Sequence, residues 1–144
     1  MIIVVDTNII FSGLLNSDGF IGDILLNSGD SFEFYTPTIA MDELLRHKAK
    51  LLKLSGYTQN QFEFLLRVFF KEIQLIDLES INSDSLEKAE MLTHDVDIFD
   101  KPFVALSLEL NAPLWTGDKK LVNGLNSKNF QLLISSKELN KLRA

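Results

Sequence analysis

The chain has no cysteine and only two histidines, His47 and His94. The first absence excludes a disulfide framework, thiolate catalysis and any cysteine-ligated zinc or iron–sulfur site, and it suits a reducing compartment. The second leaves no pair of imidazoles at ligand spacing, so each histidine reads as an ordinary surface or half-buried side chain. Long apolar runs are also missing. Nothing approaches the roughly 20 residues of a membrane span, and the strand-like start at Met1 has neither a basic flank nor a small-residue cleavage site. The expected location is the cytoplasm, with no membrane partner. Positive charge is scarce: 14 Lys and Arg stand against 20 Asp and Glu, a net charge of −6. That balance is unfavourable for gripping a phosphate backbone by broad counterion release. A nucleic-acid partner would have to be held locally or through a metal ion, and the bland alternative is simple solubility.

What remains is apolar and patterned. With 46% hydrophobic residues, 144 residues suffice for one compact domain over 1–144 with a real core. "IIVV" is β-branched and continuously apolar, as a strand covered on both faces inside a parallel sheet would be. Two short helical patterns follow, then the strand "FEFY". Pro37, placed in a first turn, opens a helix expected to run to about Leu54 and to close at Ser55 and Gly56. Thr58 caps a further helix through "FFKEI". "IQLIDL" reads as a strand, "DSLEKAEMLT" and "KPFVALSLELN" as helices, "PLWT" as a strand, "KKLVNGL" as a helix, "FQLLI" as the last strand and "SKELNKLRA" as the closing helix. Strands alternate with helices throughout, which predicts a three-layer α/β/α fold with a mainly parallel central sheet. There is no internal repeat, linker or low-complexity segment.

Open parallel sheets bind ligands beyond the carboxyl ends of their strands. The first strand ends on Asp6, and Asp118 sits just past "PLWT"; if these strands are neighbours, two carboxylates converge on one crevice. Alone, either Asp reads equally well as a cap for the following helix. Two more acids join them. On the helix after Pro37, Glu43 falls at the edge of the apolar face while Asp42 points away. Asp100 lies in the angular sector of the buried face of "KPFVALSLELN", at its N-terminal end, where its charge also suits the helix dipole; Glu109 points outward. Several carboxylates facing one crevice repel unless some are protonated or a cation sits among them. All-oxygen donors favour a hard ion, Mg²⁺ or Mn²⁺. Such an ion activates water and neutralises charge in phosphoryl transfer, so the inferred chemistry is phosphodiester hydrolysis.

"VVDTN", the acid in "TIAMDELLR" and "DKPFVALSLELNAPLWTGD" together resemble the PIN domain family. Its members, the toxin ribonucleases among them, carry an Asp at the end of the first strand, a Glu in a following helix, an Asp opening a later helix and an Asp after the fourth strand. The match spans most of the chain, with Ala105 and Ser107 where the family has small helix residues and Thr116 two before the last Asp. The resemblance implies that Asp6, Glu43, Asp100 and Asp118 form the catalytic set and hold one or two Mg²⁺ or Mn²⁺ ions. Asn8 and Thr116 would orient that set or contact phosphate. The implied activity is metal-dependent cleavage of RNA, often by the toxin of a toxin–antitoxin pair, in a protein that is commonly a homodimer and is neutralised by a small antitoxin covering its groove.

The departure from the family is Lys120, where many members have a further acid or Asn, so the second ion would be weakly held or absent. Asp95 and Asp97 add acid nearby, and Asp97 is a candidate extra metal ligand against a reading as a solvated loop acid. Lys119 and Lys120 are candidate RNA-phosphate contacts; "KAKLLK" could add a second basic patch or be a solvated helix face. Two rival readings are a haloacid-dehalogenase-type phosphatase, which wants a second acid where Asn8 stands, and a catalytically weak or inactive PIN-like binding or regulatory module.

Overall fold

The computed structural model describes residues 1–143. Its centre is a five-stranded, wholly parallel sheet in the order β3-β2-β1-β4-β5, built from β1 (Ile2–Val5), β2 (Glu33–Pro37), β3 (Ile73–Ile76), β4 (Leu114–Trp115) and β5 (Leu133–Ile134). β1 is the middle strand because it is the one that can be covered everywhere: Ile3, Val4 and Val5 have no exposed surface. It pairs with β2 in the register Val4↔Tyr35 and with β4 in the register Val5↔Trp115.

Among the described residues nine helices flank the sheet. On one side α1 (Thr7–Leu15), α2 (Phe20–Asn27), α4 (Lys48–Ser55) and α5 (Gln59–Glu72) pack together, with α3 (Ile39–Arg46) against α1 and α9 (Ser136–Leu142) against α2. On the other side α6 (Ser83–Thr93) packs on α7 (Lys101–Leu110) and α8 (Lys119–Asn126), and α7 lies across β1, β2 and β4. The three-layer α/β/α arrangement is the expected one, and the sheet is parallel throughout rather than in the main. The helix boundaries follow local chemistry. Thr58 and Gln61 exchange side-chain and backbone hydrogen bonds at the start of α5, and Ser135 and Glu138 do the same at α9. Gly56 closes α4 at φ 76°, a left-handed conformation that a Cβ would strain.

Two expectations need correction. The helix expected from Pro37 to Leu54 is two helices, broken at His47, whose backbone (φ −97°, ψ 12°) leaves the helical well. Pro37 is the last residue of β2, paired with Ile76, instead of the first turn of a helix; the ladder bond at this level is donated by Thr38 N–H to Ile76 O (3.0 Å). A proline without an N–H is tolerated at a strand end. The closing helix stops at Leu142, and Ala144 lies outside the described residues.

Trp115 anchors the strand that leads into the crevice. It is fully buried, tilted against Phe34 with centroids 6.0 Å apart, and its indole N–H donates to Ser136 Oγ at 2.8 Å. Trp115→Phe removes volume and that hydrogen bond together. We expect it to lower stability by roughly 1–3 kcal/mol, read as a drop in urea midpoint at unchanged m-value.

Candidate active site

The strand order reverses between β1 and β4, so the chain segments leaving these neighbours turn to opposite faces and open a crevice at the carboxyl edge. Asp6 stands at the end of β1, only 4% exposed, and its N–H donates to Trp115 O at 3.0 Å, continuing the ladder. The next residue on the partner strand, Thr116, donates its hydroxyl to Asp6 Oδ2 at 2.7 Å and accepts the Asp118 N–H at 3.1 Å. One hydroxyl therefore ties both strand-end acids together. α3 leaves the carboxyl end of β2 and carries the half-buried Glu43 inward, with Asp42 exposed. α7 runs back against the strands towards β4, which leaves its N-terminal residue, Asp100, at the same edge.

Asp6, Asp100 and Asp118 each occupy the position preceding a helix, yet only Asp118 acts as a cap, through Oδ1 and the Leu121 N–H at 3.2 Å. The Asp6 and Asp100 side chains make no cap bond. Local helix chemistry thus accounts for the last Asp and leaves the other two unexplained. Asp100 Oδ2 is buried and has no hydrogen-bond partner, which is expensive for a carboxylate oxygen.

The electrostatics point the same way. Burial raises the pKa of Asp6, opposed by the Thr116 hydroxyl and the Thr7 and Asn8 amides, and the charge of Asp118 raises it further. Burial also raises Glu43; the neighbouring Thr7 hydroxyl, which makes no well-formed hydrogen bond, opposes the rise and the charge of Asp6 adds to it. Asp100 is pushed up to about 7, first by burial and then by the charges of Asp6, Asp97, Asp118 and Glu43. The charges of the other three expected acids thus all bear on Asp100. Among the described residues, no group of three or more His, Asp or Glu side chains is gathered tightly enough to hold a metal ion in this conformation. The donor chemistry nevertheless fits a hard divalent cation: every donor is oxygen, one buried carboxylate oxygen is orphaned, and Mg²⁺ keeps several waters and needs only one or two carboxylates.

The remaining expected residues are more peripheral. Asn8 is exposed at the start of α1, beside Asp6. Asp97 caps a 3₁₀ turn (Ile98–Asp100) by accepting the Phe99 N–H at 3.0 Å while its charge bears on Asp100. Asp95 is ion-paired with Lys128, which holds its pKa low. Lys119 and Lys120 are exposed in the first turn of α8, where the helix dipole disfavours cations. In "KAKLLK", Lys48 and Lys50 lie over the rings of Phe62 and Phe11. Sequence reasoning named Thr116 but missed its bridging role and the orphaned Asp100 oxygen, because neither has a signature in residue type or spacing. No single helix is long and apolar enough to cross a membrane among the described residues.

Because the three shifted acids of the crevice have raised values, they hold protons more tightly in the native state than in the unfolded chain, and the stability they contribute falls as pH rises through the window between the two. For Asp100 that window runs from 3.8 to about 7. In EDTA, the melting temperature should therefore rise as pH drops from 7.5 to 6, by roughly 2 °C given how exposed the site remains. Asp100→Asn should melt higher than the parent at pH 7.5 and show a flatter profile; an unchanged profile would contradict the crowding.

Comparison with known proteins bears on the family and the fold. The sequence profile of the PIN domain matches residues 4–140. Among solved structures, the chain superposes with a TM-score of 0.66 on one described as "Crystal structure of VapBC2 from Rickettsia felis bound to a DNA fragment from their promoter". The identity is 17%, over 94% of this chain and 97% of that one, and at that level the likeness shows a shared fold. No curated protein sequence matches the chain.

Proposed function

The chain belongs to the PIN domain family, and from that premise we propose that it is a metal-dependent endoribonuclease hydrolysing RNA phosphodiester bonds at the crevice of Asp6, Glu43, Asp100 and Asp118. The observation that carries the reading is the unused capacity of Asp6 and Asp100, two helix-preceding acids that cap nothing, one with an orphaned buried oxygen. Acids kept in mutual repulsion without a local structural role mark a functional site.

In this reading the four carboxylates hold one or two Mg²⁺ or Mn²⁺ ions, Asp97 being the candidate for an additional contact. When bound, a divalent cation supplies charge neutralisation at the scissile phosphate and an acidified water. Thr116 keeps Asp6 in place by donating to Oδ2. Asp118 caps α8 with one oxygen and keeps the other for the site. Lys119 and Lys120, unfavourable where they stand for helix stability, contact the RNA phosphates; Asn8 does so from the opposite lip. Family membership and the fold shared with VapBC2 also support a cytoplasmic toxin, acting as a homodimer and neutralised by a small antitoxin that covers the crevice. A short open reading frame directly upstream, encoding a small DNA-binding protein, is the genomic arrangement expected; a solitary gene would favour a housekeeping nuclease.

The enzymatic reading is tested on Asp6. Asp6→Asn keeps the side-chain shape and an oxygen for the Thr116 hydroxyl while removing one negative charge. RNA cleavage in Mg²⁺ or Mn²⁺ should fall at least about a hundredfold, on the order of 3 kcal/mol in barrier, with the fold intact by circular dichroism. Asp42→Asn, exposed on the outer side of α3, should cut like the wild type. Equal cleavage by wild type and Asp6→Asn would assign the activity to another site or a contaminant. No cleavage by either, with partner binding retained, would favour the binding module.

A further inference from the structure

The most exposed large apolar side chain among the described residues is an aromatic one placed next to a candidate catalytic acid: Phe99, 77% exposed, immediately before Asp100. It is not on a slack loop. Asp97 accepts the Phe99 N–H through Oδ1 at 3.0 Å and the Asp100 N–H through its backbone oxygen at 3.1 Å, closing the 3₁₀ turn that holds the ring out at the lip of the crevice. Phe20 and Phe64 are also exposed, but Phe99 is the one that directly precedes a candidate catalytic acid, and holding it out of the core gives up burial.

Beside the ring lies a cavity of about 330 Å³ whose walls include Ile39, Leu78, Leu86, Pro102 and Phe99 itself, with Lys101 also lining it. Ile39 opens α3, the helix that carries Glu43, and Pro102 lies in the first turn of α7, behind Asp100. The cavity therefore sits between two helix starts that deliver acids to the crevice, and its size falls at the small end of ligand pockets. The Lys101 ammonium, on a half-buried side chain, pairs with the exposed Glu90 at 3.7 Å, a long contact that leaves it donors to meet a phosphate.

We propose that Phe99 is a stacking platform for an unpaired nucleobase of the RNA substrate, which lodges against it over this cavity while Lys101 meets the adjoining phosphate. The proposal rests on the ribonuclease reading above for the identity of the ligand. Charge argues for a base in preference to a backbone contact. A chain of net charge −6 gains little from counterion release, so contacts that salt does not screen must add to those of its few local lysines. Base–aromatic stacking is such a contact, is open to every base, and requires single-stranded or splayed RNA.

The test measures binding apart from cutting. In the Asp6→Asn background, affinity for a short unstructured RNA is read by fluorescence anisotropy at two salt concentrations. Phe99→Ala should weaken binding by about tenfold or more at both salts, and Phe99→Trp should restore it. Phe64→Ala, an exposed phenylalanine on α5, a helix carrying none of the four acids, should change nothing, and duplex RNA should show no Phe99 dependence. Undiminished binding by Phe99→Ala, or no RNA binding by the parent, overturns the proposal. So does a loss of affinity accompanied by conversion of a dimer to a monomer in light scattering, which would assign Phe99 to an interface between copies. Should cleavage prove independent of Asp6 while binding still depends on Phe99, the base subsite stands and the nuclease assignment falls. Cleavage that depends on Asp6 while binding ignores Phe99 keeps the nuclease assignment and removes the base subsite.

Discussion

The crevice depends on the parallel pairing of β1 with β4. The register Val5↔Trp115, continued by the Asp6 N–H to Trp115 O bond, brings Asp6 and Thr116 side by side although 110 residues separate them in sequence. A slip of one residue would turn the next side chain to the other face of the sheet and break the hydroxyl bridge from Asp6 through Thr116 to Asp118. The register is secure because both strands are fully buried there. Val4, Val5, Leu114 and Trp115 have no exposed surface, so no alternative pairing keeps the same apolar area out of water.

On this frame the fold tolerates an arrangement that works against its own stability. Burial and mutual repulsion raise Asp6, Glu43 and Asp100, which means that the ionised acids are each less comfortable in the native state than in the unfolded chain. The protein could have used Asp6 and Asp100 as helix caps, and instead it leaves both cap bonds unmade. Local rules are obeyed elsewhere, in the reciprocal caps of α5 and α9, the glycine that closes α4 and the unbroken burial of β1. Unmade cap bonds alone do not single out this edge, since Thr38 and Asp77 also precede helices without capping them; the combination of unmade caps, burial and mutual repulsion marks it as the candidate site.

How much of this was legible in the sequence depended on the range of the physics involved. Burial of "IIVV" on both faces, the strand–helix alternation and the acids at strand ends are written in short windows, so the three-layer fold could be read directly, whereas the approach of Asp6 to Asp118 hung on the adjacency of β1 and β4, which those windows do not contain. The break at His47 could not be read either. The apolar positions of α3 and α4 continue with nearly helical spacing across it, and only the backbone at one residue departs. Pro37 misled for a related reason: its missing N–H suits a first helical turn and a strand end equally well, and the pairing with β3 that decides between them lies about 40 residues away. The bridging hydroxyl of Thr116, the orphaned Asp100 oxygen and the bracing of Phe99 are all matters of orientation, which residue type and spacing do not encode.

The acidic net charge, a puzzle for any RNA-directed protein, becomes intelligible at this level of detail. The positive charges beside the candidate acids are few: Lys119 and Lys120 follow Asp118 directly at the start of α8, against the preference of the helix dipole, Lys101 stands next to Asp100 with a long pairing to Glu90, and Arg46 bears on Glu43. Four other cations are engaged by acids or rings: Lys128 with Asp95, Arg143 with Asp23, Lys48 over Phe62 and Lys50 over Phe11. A uniformly basic surface would bind any polyanion, duplex or single strand, with little discrimination. An acidic body with a few cations beside the acids confines attraction to the crevice edge and repels the rest of a long polyanion. For the ribonuclease proposed above, that placement would favour a segment flexible enough to bring its phosphates to these few lysines, with the crevice acids themselves needing a cation before a polyanion could approach them.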